Sequence, residues 1–206
     1  MFHSCDIEID KFISCSYALG ICCFNQDQID YGCGIVDMGY EKTSLAIFKD
    51  SSLVHASSFP IGSNHITKDI SRGCYLSEIE SELIKKDISI IDNLDEELDE
   101  NGFLSDKYFS ETKFRKISSK FVRDIIAARL DEILSKIFKE INFLQAESIK
   151  QNLIFTGEGS RLNDLKKIVN IKLSNDIFNA NLDNLKPFGS IDRDLLACYG
   201  EVKILT

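Results

Sequence analysis

No Cys-x-x-C pair occurs among the seven cysteines, at positions 5, 15, 22, 23, 33, 74 and 198. Cys22 and Cys23 are adjacent, which suits neither chelation nor a simple bridge. The odd count and the apolar neighbours point to reduced, mostly buried thiols in a cytosolic protein. Histidine is scarce, and His3, His55 and His65 have neither His-x-His nor His-x-x-x-His spacing. They read as strand or turn residues rather than metal ligands. No apolar run approaches the about 18 residues of a membrane span, and no secretory signal is visible. Nor is there an internal repeat or a low-complexity tract. Basic charge is in deficit: 24 Lys and Arg stand against 33 Asp and Glu, a net charge of −9. That argues against nucleic acid or an anionic membrane surface as a direct partner. What is abundant is apolar. The 206 residues are 44% hydrophobic and include 14 Phe, enough for a sizeable core in one large domain or two small ones.

Periodicity orders these residues into elements. Residues 6–24 show helical spacing that ends near Gly20 or soon after. Three strands follow at about 33–37, 43–49 and 53–59, joined at Gly39 and at Lys49-Asp50-Ser51-Ser52 as a meander. Ser63 or Asn64 can cap a helix running to about Ser71. Ser77 with Glu80 forms a capping box for a helix through Lys86. The acidic run 92–100 reads as a solvated face, and Ile88–Ile91 and Phe103-Leu104 as short strands beside it. A long amphipathic helix is expected over 114–144, with apolar positions 117, 121, 125, 130, 133, 137, 141 and 144. A strand at 152–156, a helix at 161–170, a strand at 175–179 and a last helix from about Asp192 complete the pattern.

Two glycine turns carry the chemistry. In Ile35-Val36-Asp37-Met38-Gly39, an apolar strand ends on Asp37 and turns at Gly39, and Thr43 opens the next strand. Backbone amides of such a turn can face phosphate oxygens, and the Asp can hold a Mg²⁺-bound water. An ordinary hairpin has the same outline. In Leu153-Ile154-Phe155-Thr156-Gly157-Glu158-Gly159, a strand runs into a glycine turn with a helix behind it, an arrangement suited to an anion or nucleotide. A plain connection with Ser160 as N-cap would also read this way.

Taken in order, these motifs resemble the C-terminal part of the FtsA family of actin-like bacterial cell-division proteins. The first turn resembles that family's Asp-[Ile/Met]-Gly-[Gly/Ala]-Gly-Thr-Thr, and the second its Leu-Thr-Gly-Gly-Gly. Ile61-Gly62-Ser63-Asn64-His65-Ile66-Thr67-Lys68-Asp69-Ile70 resembles its Gly-Gly-x-x-[Val/Ile]-Thr-x-Asp helix start. Ser81-Glu82-Leu83-Ile84-Lys85 resembles its Ala-Glu-x-[Ile/Leu]-Lys, and Arg129-Leu130-Asp131-Glu132-Ile133-Leu134 its long-helix Arg-x-x-Glu pattern. Ala197-Cys198-Tyr199-Gly200 resembles the closing Ala-x-x-Gly helix.

The resemblance implies an α/β fold: an actin-like ATPase (ribonuclease H-like) domain, with a mixed sheet flanked by helices and an inserted small subdomain. Residues 1–74 and 145–206 would form subdomain 2A, and 75–144 the inserted 2B. It implies ATP with Mg as cofactor. Asp37, Gly39 and Thr43 would lie at the phosphates, with Asp37 near Mg²⁺. Glu82 and Lys85 would lie at the ribose and adenine, and Gly157, Glu158 and Gly159 on the adenosine side. Spacing alone also allows Glu82 and Lys85 to be a surface ion pair. The implied partners are the FtsZ C-terminal tail through 2B, further FtsA copies and later division proteins. The implied location is the inner face of the cell membrane at the division site, with no insertion by this segment. Lys113, Arg115, Lys116, Lys120 and Arg123, read as lying on one helix, can meet an acidic peptide.

Two departures bear on activity. Tyr40-Glu41-Lys42 stands where the family has Gly/Ala-Gly-Thr, and a carboxylate repels a triphosphate at close range. The family's domain 1 and its terminal amphipathic helix have no counterpart in these residues, as expected of a fragment, a split gene product or a reduced homologue. ATP hydrolysis is therefore not expected of this chain alone. A pilus-assembly PilM-type scaffold and an actin-fold phosphotransferase are the alternatives.

Overall fold

A computed structural model describes residues 8–9, 11–91, 102–144, 149 and 152–172. The expected strand at 175–179, the last helix and the acidic run lie outside these residues. Helix α1 spans Cys15–Cys23 and α2 Gln26–Tyr31. The strands β1 (Cys33–Met38), β2 (Thr43–Lys49) and β3 (Ser52–Phe59) follow within a residue of their expected bounds. Next come α3 (Ser63–Cys74), α4 (Glu78–Asp87), α5 (Ser119–Phe143), β4 (Leu153–Thr156) and α6 (Leu165–Lys172).

The sheet order is β3-β2-β1-β4. The meander pairs are antiparallel, while β1 and β4 run parallel in the register Asp37↔Thr156. Parallel strands need a long crossover, and α3, α4 and α5 supply it. Side chains alternate across the sheet, so Ile35, Ala46 and Phe48 face one way and Val36, Leu45 and Ile47 the other. α1 and α2 cover the first face with Leu19, Cys22, Phe24 and Ile29. The second face belongs to one core cluster running through Ile66, Ile70 and Ile84 to Leu104, Leu130 and Ile141. β1 and β2 are buried on both faces, whereas β3, at the edge, alternates exposed and half-buried positions.

Several expectations are corrected. The described residues before Cys15 are not helical, and α1 continues through Gly20. Gly20 is not a stop signal there: a Cβ on it would lie 2.1 Å from Cζ of Phe48, so its backbone is the seat of that ring. α2 was not anticipated, although its Asn25-x-x-Gln28 capping box is legible: Gln28 N donates to Asn25 Oδ1 (2.8 Å) and Asn25 N to Gln28 Oε1 (3.0 Å). Gly62, not Ser63 or Asn64, is the N-cap of α3.

α5 begins at Ser119 rather than 114, because the preceding segment bonds to 102–104 instead. Leu104 N donates to Ile117 O (2.9 Å) and Ser119 N to Gly102 O (3.1 Å). Its buried stripe is Val122, Ile126, Leu130, Ile133, Ile137 and Ile141, and Phe121 is exposed. Neither Ile88–Ile91 nor Phe103-Leu104 forms a named strand; Phe103 makes an isolated bridge to Ser118.

The capping box of α4 is as expected and does more than cap. Ser77 N donates to Glu80 Oε2 (3.0 Å), while Glu80 Oε1 accepts from Glu111 N and Thr112 N, both at 2.8 Å. Burial pushes the Glu80 carboxyl up, but these amides and the Thr112 hydroxyl outweigh it and bring the pKa down to about 2.

Two measurements check this account. Leu130→Ala opens a cavity at a fully buried site and is expected to cost about 2–5 kcal/mol in urea unfolding. Glu80→Gln tests the pH linkage. A depressed carboxylate stabilises above its unfolded pKa of about 4.3 and loses that contribution as pH falls toward 2. The stability gap between wild type and Glu80→Gln is therefore expected to narrow over that window.

Candidate functional site

Parallel pairing of β1 and β4 brings both glycine turns to the same end of the sheet. Gly39 N donates to Lys42 O (2.9 Å), which closes a tight hairpin with Tyr40 and Glu41 at its corner. Gly157, at φ 82°, begins the second turn; a Cβ there would lie 2.5 Å from Asp37 Oδ1. The residue must be glycine on both counts. Asp37 is half-buried against this backbone. Burial pushes its carboxyl up, and Lys42 partly opposes that. The second turn is not followed at once by α6. A 3-10 turn at Glu158–Arg161 intervenes, in which Ser160 donates back to Gly157 O (2.7 Å) rather than capping α6.

The N-terminus of α3 docks on the hairpin. Ser63 N donates to Gly39 O and Asn64 N to Tyr40 O, both at 2.9 Å. A Cβ at Gly62 would lie 2.5 Å from Tyr40 O, so only glycine lets the chain pass there. Asn64 Nδ2 donates to Glu41 Oε1 at 2.6 Å, and Lys68 Nζ lies 3.7 Å from the same oxygen. The Thr43 hydroxyl is fully buried and donates to Ile61 O (2.7 Å).

Helix α4 supplies the opposite wall. Lys85 is only 4% exposed. Its Nζ lies 2.6 Å from Glu82 Oε2 and donates to Thr67 Oγ1 (2.9 Å) and Ser63 O (3.3 Å). Thr67 Oγ1 donates in turn to Glu82 Oε2 (2.6 Å). Burial pushes the Glu82 carboxyl up, but Lys85 and Thr67 outweigh it and hold it below the usual range. The pair is therefore a buried joint between α3 and α4, not a surface ion pair. Among the described residues, Glu82 Oε1 carries only the looser contact to Lys86 Nζ (3.5 Å) and keeps accepting capacity.

These walls enclose a cleft of about 280 Å³ lined by Ser63, Glu82, Lys85, Lys86, Glu158, Gly159, Arg161 and Leu162. Of the residues expected from the sequence, Glu82, Lys85, Glu158 and Gly159 converge here. Asp37, Gly39 and Gly157 sit beside it, and Thr43 is turned to Ile61. Sequence reasoning missed Ser63, Lys86, Arg161 and Leu162; the first follows from the helix start and the rest only from packing. The two walls are also tied behind the cleft. Asn163 Nδ2 donates to Lys86 O (3.0 Å) and Asp87 O (3.1 Å). Asp164 accepts from Ser89 Oγ, Ile90 N and Ile91 N.

The basic residues expected on one helix are divided. Lys113, Arg115 and Lys116 precede α5, and Arg123 is 8% exposed with Nε donating to Ser89 O (2.9 Å).

A family model described as cell division protein FtsA matches residues 34–188. The cell division protein FtsA of Rhizobium meliloti (strain 1021) is 26% identical over 163 residues, 77% of this chain and 36% of that protein. That of Bacillus subtilis (strain 168) is 24% identical over 171 residues, 83% of this chain and 38% of that protein. The chain thus spans less than two-fifths of these relatives' length. Among solved structures, MreB5 of Spiroplasma citri bound to ADP matches with a TM-score of 0.61 at 20% identity, over 86% of this chain and 59% of that one. The fold is the actin-like α/β fold expected from the sequence.

Lys85→Ala removes three contacts of a buried cation and is expected to cost about 1–3 kcal/mol in urea unfolding. Because Glu82 shares that joint, Glu82→Gln in the Lys85→Ala background is expected to cost less than in wild type, a coupling that a double-mutant cycle reads directly.

Proposed function

The chain belongs to the FtsA cell-division family, and from that premise we propose that it is the partner-binding half of an actin-fold adaptor linking FtsZ filaments to the membrane-associated division machinery. It acts by binding, not by turnover. Region 75–144 takes the FtsZ C-terminal tail, and other faces meet further copies and later division proteins on the cytoplasmic side of the membrane. The cleft holds the nucleoside end of the ATP that serves the whole protein.

The observation that carries this reading is the convergence of Glu82, Lys85, Glu158 and Gly159 on one cleft within a chain that matches the family over 34–188. Glu82 is the acceptor for sugar hydroxyls, and Gly159, where a Cβ would lie 2.9 Å from Met38 O, seats the second turn against the end of β1. Lys85 orients Glu82 from beneath. A bound nucleotide would supply a ligand that bridges the two walls of the cleft. The tail-binding role is supported by exposed Tyr75, Ile79, Phe114 and Phe121 near exposed Lys113, Lys116 and Lys120, a mix of apolar anchors and positive charge that suits an acidic peptide.

Calorimetric titration with the FtsZ C-terminal peptide tests the partner assignment. Saturable binding that weakens at least about tenfold in Phe114→Ala or Lys120→Glu is expected. Absence of binding to a chain with native circular dichroism would sink it.

A further inference from the structure

We infer that the cleft recognises a nucleoside through its sugar and base and gains nothing from a γ-phosphate. The inference rests on the reading of the cleft as the nucleoside end of a nucleotide site, and it concerns what the neighbouring hairpin does to the other end of that ligand.

A polyphosphate needs donors, and those that the start of α3 directs at the hairpin are already used. The positive end of α3 meets the chain's own carbonyls: Ser63 N is bound to Gly39 O and Asn64 N to Tyr40 O, both at 2.9 Å. Gly62 N is bound to His65 Nδ1 (3.1 Å). Within the hairpin, Gly39 N is bound to Lys42 O (2.9 Å), and the Thr43 hydroxyl is bound to Ile61 O (2.7 Å).

The corner itself carries a fixed carboxylate. Glu41 holds its carboxylate against Asn64 at 2.6 Å, with Lys68 beyond. The Asn64 hydrogen bond, with Lys68 and His65, keeps that carboxyl below its usual range, so it is ionised at neutral pH. The buried Oδ1 of Asn64 has no hydrogen-bond partner among the described residues, and turning the amide would set this oxygen against Glu41. The Glu41 carboxylate thus sets a negative charge at the corner that a γ-phosphate would approach and offsets what the turn could offer it, whereas Glu82 Oε1 and the turn at Glu158-Gly159 fit a nucleoside.

The test is an NMR titration of the full chain, following the amides of Gly157 and Gly159, with adenosine, ADP and Mg-ATP as separate ligands. The three dissociation constants are expected to agree within about threefold. Glu41→Gln, which keeps the side-chain length, and Glu41→Gly are each expected to tighten Mg-ATP about tenfold while leaving adenosine unchanged. Mg-ATP binding to wild type at least tenfold more tightly than adenosine would overturn the inference and leave the nucleotide reading standing. No gain for Mg-ATP in either Glu41 variant would also overturn it. Failure of all three ligands to shift a well-dispersed spectrum would overturn the nucleotide reading, and the inference with it.

Discussion

Everything at the candidate site depends on the parallel ladder between β1 and β4. Its register sets Asp37 against Thr156, so the turns that follow each strand leave the sheet side by side. Antiparallel pairing of the same two strands would put the turns at opposite ends. Parallel pairing demands a long crossover, and that crossover is where the chain places α3 and α4. One topological choice thus brings together the hairpin, the second glycine turn and the helix that carries Glu82.

The second organising feature is the buried joint around Lys85. An ammonium taken almost wholly out of water is costly unless it is fully partnered. Here Glu82, Thr67 and the Ser63 carbonyl provide the partners. The arrangement locks α3 to α4 and aims Glu82 with one oxygen committed and the other open. Asn163 and Asp164 secure the same helix end from behind, and Asp164 holds a left-handed backbone conformation (φ 61°) while its carboxylate makes those bonds. The strain of a non-glycine residue there is offset by the hydrogen bonds it makes.

The hairpin has bulk and charge at its corner, in Tyr40 and Glu41, and Glu41 is tied into the first turn of α3. The hairpin is held by the helix that follows it.

The sequence by itself determined β1 to β4, the two glycine turns and the α4 capping box, because period-two alternation, Gly punctuation and the Ser77–Glu80 pair act over a few residues. It also carried the family, through motifs kept in order. It did not determine the start of α5 or the role of Gly20, since each depends on what packs or bonds against the segment from elsewhere in the chain, whereas α2 was within reach of its local Asn25–Gln28 capping box. The fate of Glu82 and Lys85 is the sharpest case. Spacing three apart on a helix serves an exposed ion pair and a buried joint equally well, and only the approach of Ser63 and Thr67 on α3 decided between them. Likewise Thr43 read as a phosphate-site residue and Glu41 as a repelling carboxylate until tertiary structure supplied Ile61 and Asn64 as their partners. Local geometry is written along the chain; which polar group is left free for a ligand depends on every element that reaches it.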